Sequence, residues 1–422
     1  MEHTEESRAV PQTLPSAVHQ IDTNAICPNA RSVIERIHEA GYQAYLVGGC
    51  VRDLLLNRTP KDFDVATDAH PEQLMQIFEH RRLIGRRFQI VHVYFGRKFI
   101  EVSTFRAPIQ QNAKQTHRHI NNGRIIRDNV YGTIEQDAAR RDFTVNSLFY
   151  NIQTDTVLDY CNGLEDIEAG VLRLIGDPET RYREDPVRKL RAIRFSAKLG
   201  LSIEPKSATP ISDLSHLLRD IPAARLFDEV IKLFHSGAAR TCYDLLNDYH
   251  LFRYLFPYTH ESVGKQTDSP IHAFIYAALA STDARIAENK SVNPAFIYAV
   301  MLWPPMLDHR ERLLEAGLSP ADAAYEAANK AIIQQLPHIA IPKRFGTIIR
   351  EIWSLQRRFQ RRRGSKVLRF LEHPRFRAAY DFMCLRSEAN ESDDLDCEWW
   401  TTIQTVSPAQ QKKMTRPSKR RK

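Results

Sequence analysis

The stretch YQAYLVGGCVRDLLLNRTPKDFDVAT, residues 42–67, changes its period three times. YQAYLV reads as a strand, Gly48-Gly49 as a turn, CVRDLLLNR as a short helix and KDFDVAT as a second strand. Two glycines between a strand and a helix let backbone N–H groups come close to an anion, at an end where the helix dipole favours negative charge. Arg52, one turn on, could grip the same anion bidentately, with Asp53 orienting it. A tight strand-to-helix connection needs the same two glycines, and the spacing fits neither a Walker loop nor a dinucleotide fingerprint. On KDFDVAT, Asp62 and Asp64 share one face of a strand while Phe63 turns to the core. Carboxylates so placed repel unless cations lie between them, which suits hard divalent ions with oxygen ligands. A two-metal clamp needs a further carboxylate. Glu101, the only acid between residues 81 and 127, is the candidate; its other reading is an ion-pair partner in a basic strip.

Outward from this centre, SVIERIHEAG reads as a helix ended by Gly41, and PEQLMQIFEH as another. RLIGRRFQIVHVYF and KFIEVSTFR read as two strands joined at Gly96. Residues 107–123 are polar and acid-free, a mobile loop by composition. Beyond about residue 165 the pattern is helical to residue 386. Residues 1–24 read as a disordered lead-in, and 387–422 as an acidic joint followed by a basic disordered tail.

Two further motifs concentrate charge. Arg140-Arg141-Asp142-Phe143-Thr144-Val145-Asn146 could grip a triphosphate and a ribose hydroxyl, or form a surface Arg–Asp network. In REDPVRKLR (183–191), Glu184, Arg188 and Arg191 fall on one side of a helix with Asp185 on its flank. An Arg donor beside a carboxylate acceptor complements the N1 and N6 edge of adenine; ordinary i,i+4 ion pairing is the alternative.

The 422 residues carry a net charge of +8, but unevenly. Residues 81–127, 343–377 and 411–422 hold 30 Lys/Arg against three acids, +27, leaving −19 on the rest. Such segregation points to a polyanionic partner, nucleic acid before membrane. The alternative is a set of solvated helix faces and a solubilising tail. Six scattered cysteines without a CxxC pair read as reduced thiols, the N-terminus shows no signal peptide, and the most apolar stretches are too short to span a bilayer. A secreted, membrane-spanning or zinc-scaffold protein is not expected, and a cytoplasmic one is.

LVGGCVRDLLL (46–56), KDFDVAT (61–67), IEVSTFR (100–106), RRDFTVNSL (140–148) and REDPVRKLRAIRF (183–195) occur in the order and spacing of a known family. The chain resembles the class II template-independent RNA nucleotidyltransferases of the DNA polymerase β superfamily. KDFDVATDAHPEQL, LIGRRFQIVHVYFG, LIGDPETRYREDP and IPKRFGTIIREIWSLQRR make it similar to the polyadenylating branch rather than the CCA-adding one. The resemblance implies an α+β fold: a polymerase-β-like nucleotidyltransferase head of mixed sheet and helices at 25–160, then an all-α neck (161–222), a body with an Arg-rich C-terminal region (223–386) and the tail. It implies that Asp62, Asp64 and Glu101 hold Mg²⁺ (Mn²⁺ as an alternative), with Asp142 a further catalytic acid. Gly48, Gly49, Arg52, Asp53, Arg106, Arg141, Asn146 and Arg191 would hold ATP, and Asp185 with Arg188 would read its adenine. Arg357, Arg358, Arg361, Arg362, Arg363 and Lys366 would bind RNA. The expected reaction is two-metal transfer of AMP from ATP to the 3′ ends of mRNA, regulatory RNA or tRNA precursors, releasing pyrophosphate and marking RNA for decay machinery. Cys50 at the variable position of the glycine turn and Asn57 in place of a common Gly are mild departures. CCA addition to tRNA, a non-catalytic RNA-binding adaptor and a two-metal nuclease are the rival readings.

Overall fold

The computed structural model describes residues 12–85, 89–107, 118–121, 124–128, 130–264, 269–391 and 396–416. Two compact units divide them, one running to Arg188 with Leu199–Leu214, the other comprising Lys189–Lys198 and the chain from Ser215.

The first unit is built on an eight-stranded sheet. Its strands are β1 (Gln12–Pro15), β2 (Ala44–Val47), β3 (Asp64–Thr67), β4 (Arg81–Ile84), β5 (Ile90–Phe95), β6 (Lys98–Thr104), β9 (Leu148–Asn151) and β10 (Thr156–Asp159). Between β6 and β9 lies a separate hairpin of β7 (Arg118–Asn121) and β8 (Arg124–Asp128). β11 (Val171–Leu172) and β12 (Ser202–Ile203) form a two-residue parallel pair. The order across the large sheet is β1-β10-β9-β2-β3-β6-β5-β4, antiparallel except for the pair β3–β6. A parallel neighbour needs a crossover; the helix Pro71–Ile77 and β4–β5 supply it.

Alternation assigns each residue a face. Leu46, Val65, Ile100 and Val102 point to one side, where they join Val33, Ile34 and Ile37 of the helix Pro28–Glu39 in the main core. Val47, Ala66, Phe105 and Phe149 point to the other, under Ile134 and Ala138 of the helix Ile134–Arg140. Gly41 (φ +84°) and Asn57 (φ +53°) both take the left-handed conformation, so Asn57 does the work of the glycine it replaces.

Several expectations are corrected. The lead-in is ordered from Gln12, since β1 pairs with β10 and satisfies its backbone there; residues 1–11 lie outside the described residues. The mobile loop of 107–123 lies mostly outside the described residues, but its end forms the β7–β8 hairpin. The basic tail folds as helices Cys397–Thr405 and Pro408–Met414, which bury Trp400 and Ile403 against Phe359, Phe370 and Phe376; residues 392–395 and 417–422 lie outside the described residues. The cysteines are not all reduced: Cys384 and Cys397, with Cα atoms 4.9 Å apart, form a disulfide because the helix Cys397–Thr405 packs beside Phe376–Glu388. Among the described residues no helix is long and apolar enough to cross a membrane.

Candidate active site

β2 ends at Val47, opposite Asp64 at the start of β3; Asp64 in turn faces Glu101 of β6, and Glu101 faces His92 of β5. Residues in register across neighbouring strands lie on the same face with Cβ atoms about 5 Å apart. One row therefore reads Arg82, His92, Glu101, Asp64, Val47, Phe149 across six strands, two cationic or titratable groups beside two acids. Glu101 Oε1 lies 3.3 Å from His92 Nε2 on one side, and Asp64 stands beside Glu101 on the other. Asp62 departs from expectation. It precedes the strand and is exposed, because pairing starts only at Asp64.

The Asp64 carboxyl is pushed up to about 6 by burial and then by Glu101; Arg141 opposes the rise and Asp62 adds to it. A buried carboxyl raised by two neighbouring acids is where a bound cation would relieve repulsion. Among the described residues no three His, Cys, Asp or Glu side chains converge enough to hold an ion alone.

Gly48 begins the helix Gly49–Leu55 at φ +79°, and its N–H donates to Leu148 O at 3.0 Å. A Cβ there would meet only Asn146 O at 3.5 Å and Arg141 Nη1 at 3.6 Å, so conformation rather than space demands glycine. The helix has only seven residues, so the positive field of the turn comes chiefly from arginines. Arg52 is 3 % exposed, with Nε and Nη2 donating to Asp53 Oδ1 at 2.9 and 2.6 Å and Nη1 donating to Asn146 Oδ1. Asp53 thus orients Arg52, as expected. Cys50, beside them, is inert, its thiol pushed up to about 12 by burial.

The RRD segment leaves the helix Ile134–Arg140 at Arg141. Arg141 donates from Nε and Nη2 to Asp137 Oδ2 at 3.1 and 2.7 Å and lies over the Phe149 ring at 5.2 Å. The other Asp137 oxygen accepts from the Arg106 N–H at 3.2 Å, so Arg106 is tied to this network through its backbone. Asp142 accepts from the Phe143 N–H at 2.9 Å and lies 3.5 Å from Asn146 Nδ2. Gly48, Gly49, Arg52, Asp53, Arg141, Asp142 and Asn146 are thereby drawn into one cluster.

Arg181, not singled out in the sequence, fastens that cluster from behind. Its Nη2 donates to the carbonyls of Arg140 and Arg141, both at 2.6 Å, its Nε to Ile175 O, and its Nη1 to Glu184 Oε2 at 3.0 Å. Burial, with Arg188 nearby, lowers its guanidinium to about 10, still cationic near neutrality. Arg188 shares Glu184 Oε2 at 3.0 Å and donates to Arg181 O at 2.7 Å. Asp185 ends the helix Pro178–Glu184, its Oδ1 3.4 Å from the Val187 N–H. Asp137 and Arg181 escaped sequence reading; the i,i+4 spacing of Asp137 and Arg141 was a usable signal, whereas nothing local shows Arg181 reaching back forty residues.

The second unit carries the other candidates. Arg191 lies over Phe195 at 5.2 Å. Arg357 and Arg358 end the helix Lys343–Phe359 exposed, Arg361, Arg362 and Arg363 follow it exposed, and Lys366 is exposed on the helix Ser365–Leu371. Arg358 lies over Phe370 at 5.6 Å and Arg362 pairs with Asp396.

Comparison with known proteins adds to this geometry. A family model described as the poly A polymerase head domain matches residues 44–173, one described as the probable RNA and SrmB-binding site of polymerase A matches 200–263, and one described as the polymerase A arginine-rich C-terminus matches 316–422. Poly(A) polymerase I of Escherichia coli O6:H1 is 48 % identical over 417 residues, 97 % of this chain and 90 % of that protein. A CCA-adding enzyme of Lactobacillus helveticus is 33 % identical over 222 residues, 53 % of each chain. Among solved structures, a tRNA-processing enzyme in an apo form aligns over 96 % of this chain and 99 % of its own with a TM-score of 0.62 at 19 % identity, a likeness of fold.

Proposed function

Because the chain belongs to the poly(A) polymerase I family, we infer that it is a polynucleotide adenylyltransferase which extends RNA 3′ ends with adenylate and no template. The observation that carries the reading is the register pair Asp64–Glu101 with Asp62 nearby, in the same unit as a glycine turn flanked by Arg52 and Arg141. Adaptors need no such acids, and a nuclease needs no triphosphate turn.

In the reaction the RNA 3′-oxygen forms a bond to the α-phosphorus of ATP, the α–β bridging bond breaks, and pyrophosphate leaves. The protein's part in such a transfer is positioning and electrostatics. Asp62, Asp64 and Glu101 would hold divalent ions, which when bound supply positive charge to the developing oxyanions. Gly48, its own N–H donated to Leu148 O, turns the chain so that Gly49 and the start of its helix meet the triphosphate, while Arg52 and Arg141 hold a fixed positive field around them. Asp142 and Asn146 suit the ribose side. With no template base, the protein selects the nucleotide: Arg188 donates to adenine N1 and Asp185 accepts from N6. Glu184 and the Arg181 carbonyl already hold Arg188, so little ordering remains when the base arrives. The exposed arginines of 357–363 with Lys366 take the RNA backbone. The reading places the enzyme in the cytoplasm, adding tails that mark RNA for decay machinery.

Purified protein incubated with Mg²⁺, an oligonucleotide RNA and each nucleoside triphosphate separately tests this. Long ladders with ATP alone are expected. Addition that halts after C, C and A on tRNA would replace the reading with CCA addition, and RNA binding without extension would leave only the adaptor.

A further inference from the structure

The second unit contains a cavity of about 560 Å³ among the helices Trp303–Glu315, Pro320–Gln335, Lys343–Phe359 and Phe376–Glu388, within the size range of small-ligand sites. Its inner lining is aromatic and fixed. Trp303 and Trp353 are buried and line it, with their N–H groups donating to Glu391 and to Ala299 O, each at 3.1 Å. The Arg386 guanidinium lies 4.6 Å over the Trp303 ring, paired with Glu391 at 2.5 Å and donating to Gln356 Oε1 at 3.2 Å. These polar groups satisfy one another, and the arginine's charge is balanced by Glu391. They form a closed, charge-balanced floor, the tryptophan rings almost wholly covered.

The outer lining differs. Tyr325 is 64 % exposed, an unusual position for so large a ring, and the exposed Arg310 and Arg357 and half-buried Arg350 line the cavity with it. Glu351, the acid that lines it among the described residues, is paired with Arg375 at 2.9 Å. Beyond Arg357 the cationic run continues through Arg358, Arg361 and Arg363. The exposed Tyr325 ring over an apolar floor, with unbalanced arginines beside it, complements a ligand that is flat at one end and anionic at the other.

We propose that this cavity takes one unpaired purine nucleotide of the RNA strand, its base against the Tyr325 ring and the apolar floor and its phosphates on Arg310, Arg350 and Arg357. The proposal rests on the RNA-extending reading and adds a second hold on the strand, located in a different unit from the carboxylates. Stacking of one base is sequence-tolerant, which suits a strand that lengthens by one identical purine at each turnover.

The test compares full-length wild type with Tyr325→Ala and Arg357→Gln, both exposed positions, after matched thermal melts establish folding. Binding of a fluorescein-labelled oligoadenylate and of an equally long oligomer with abasic sites is measured by anisotropy. Wild type is expected to favour the oligoadenylate; Tyr325→Ala loses about tenfold in Kd for it, erases the preference and raises the RNA KM alike, with the ATP KM unchanged. Equal binding of the abasic oligomer by wild type would overturn the proposal. So would quenching of tryptophan fluorescence by free AMP at the affinity seen for RNA, which would make the cavity a mononucleotide site, or a dimer that Tyr325→Ala turns to monomer in sedimentation, which would make it a face between copies. A protein that extends no RNA would sink the enzymatic reading alone, since the binding comparison decides the cavity independently.

Discussion

Arginines gather in two places and behave differently in each. Around Gly48 they are locked: Arg52 to Asp53 and Asn146, Arg141 to Asp137, Arg181 to the carbonyls of Arg140 and Arg141. In the C-terminal strip, Arg357, Arg361 and Arg363 are exposed on the end of a helix and the turn beyond it. On the proposed reading, phosphoryl transfer rewards a field that need not reorganise, which suits cations held in advance at the cost of burying them. A strand that must advance after every addition rewards contacts that break easily, which solvated arginines provide.

The contrast is broken most decisively at the acids. Asp64→Asn is expected to lower the rate of AMP addition by at least about 10³-fold in a single-turnover assay while RNA affinity changes little; persistent activity would remove the carboxylate argument. Arg181→Ala comes next: it strips three carbonyls and Glu184 of a buried partner, so about 3 kcal/mol of stability by denaturant titration and about 10²-fold in kcat should go together. Arg181→Lys, which cannot serve four acceptors at once, should recover stability better than rate.

A third test reads pH. Burial and Glu101 hold the folded Asp64 carboxyl at about 6, above its ordinary 3.8. A raised acid favours the folded state only while protonated, so stability falls as pH rises from about 4 through 6 and stays low above it. In metal-free protein, Asp64→Asn should therefore match wild type below pH 4 and exceed it by about 1–3 kcal/mol above pH 6 in thermal melts. Divalent salt should narrow the gap by stabilising wild type. An advantage independent of pH would show that packing, not charge, was relieved. The smallest effect belongs to the exposed strip: Arg361→Ala with Arg363→Ala should flatten the slope of log K against log salt by roughly 1 to 2 and leave the ATP KM alone.

The head was legible where local pattern and chemistry coincide. The strand, glycine turn and helix at 42–55 follow from period alone, and Glu101 stood out because no other acid interrupts its strip. What escaped is long-range. β1 is four residues with a proline, and only its partner 140 residues away makes it a strand. Asp62 looked like a strand residue because DFD alternates, yet the chain is still approaching from Pro60 and pairs only from Asp64. The C-terminal helices looked like tail because their charge hid Trp400, which becomes core once Phe359 and Phe370 meet it. Arg181 could be read as an i,i+3 partner of Glu184, but not as the clasp of a loop forty residues earlier.

The strand order places β1 at one rim of the sheet and β4 at the other. β1 stops at Pro15, which has no N–H to offer, and β4 opens with the exposed Arg81 and Arg82. Each rim is thus a poor template for another chain, one by lacking a donor and the other by repulsion. Removing residues 1–15 would uncover the edge of β10, where Thr156, Val157 and Leu158 carry no charge before Asp159. Shortening the N-terminal strand is therefore expected to raise self-association of the head in light scattering.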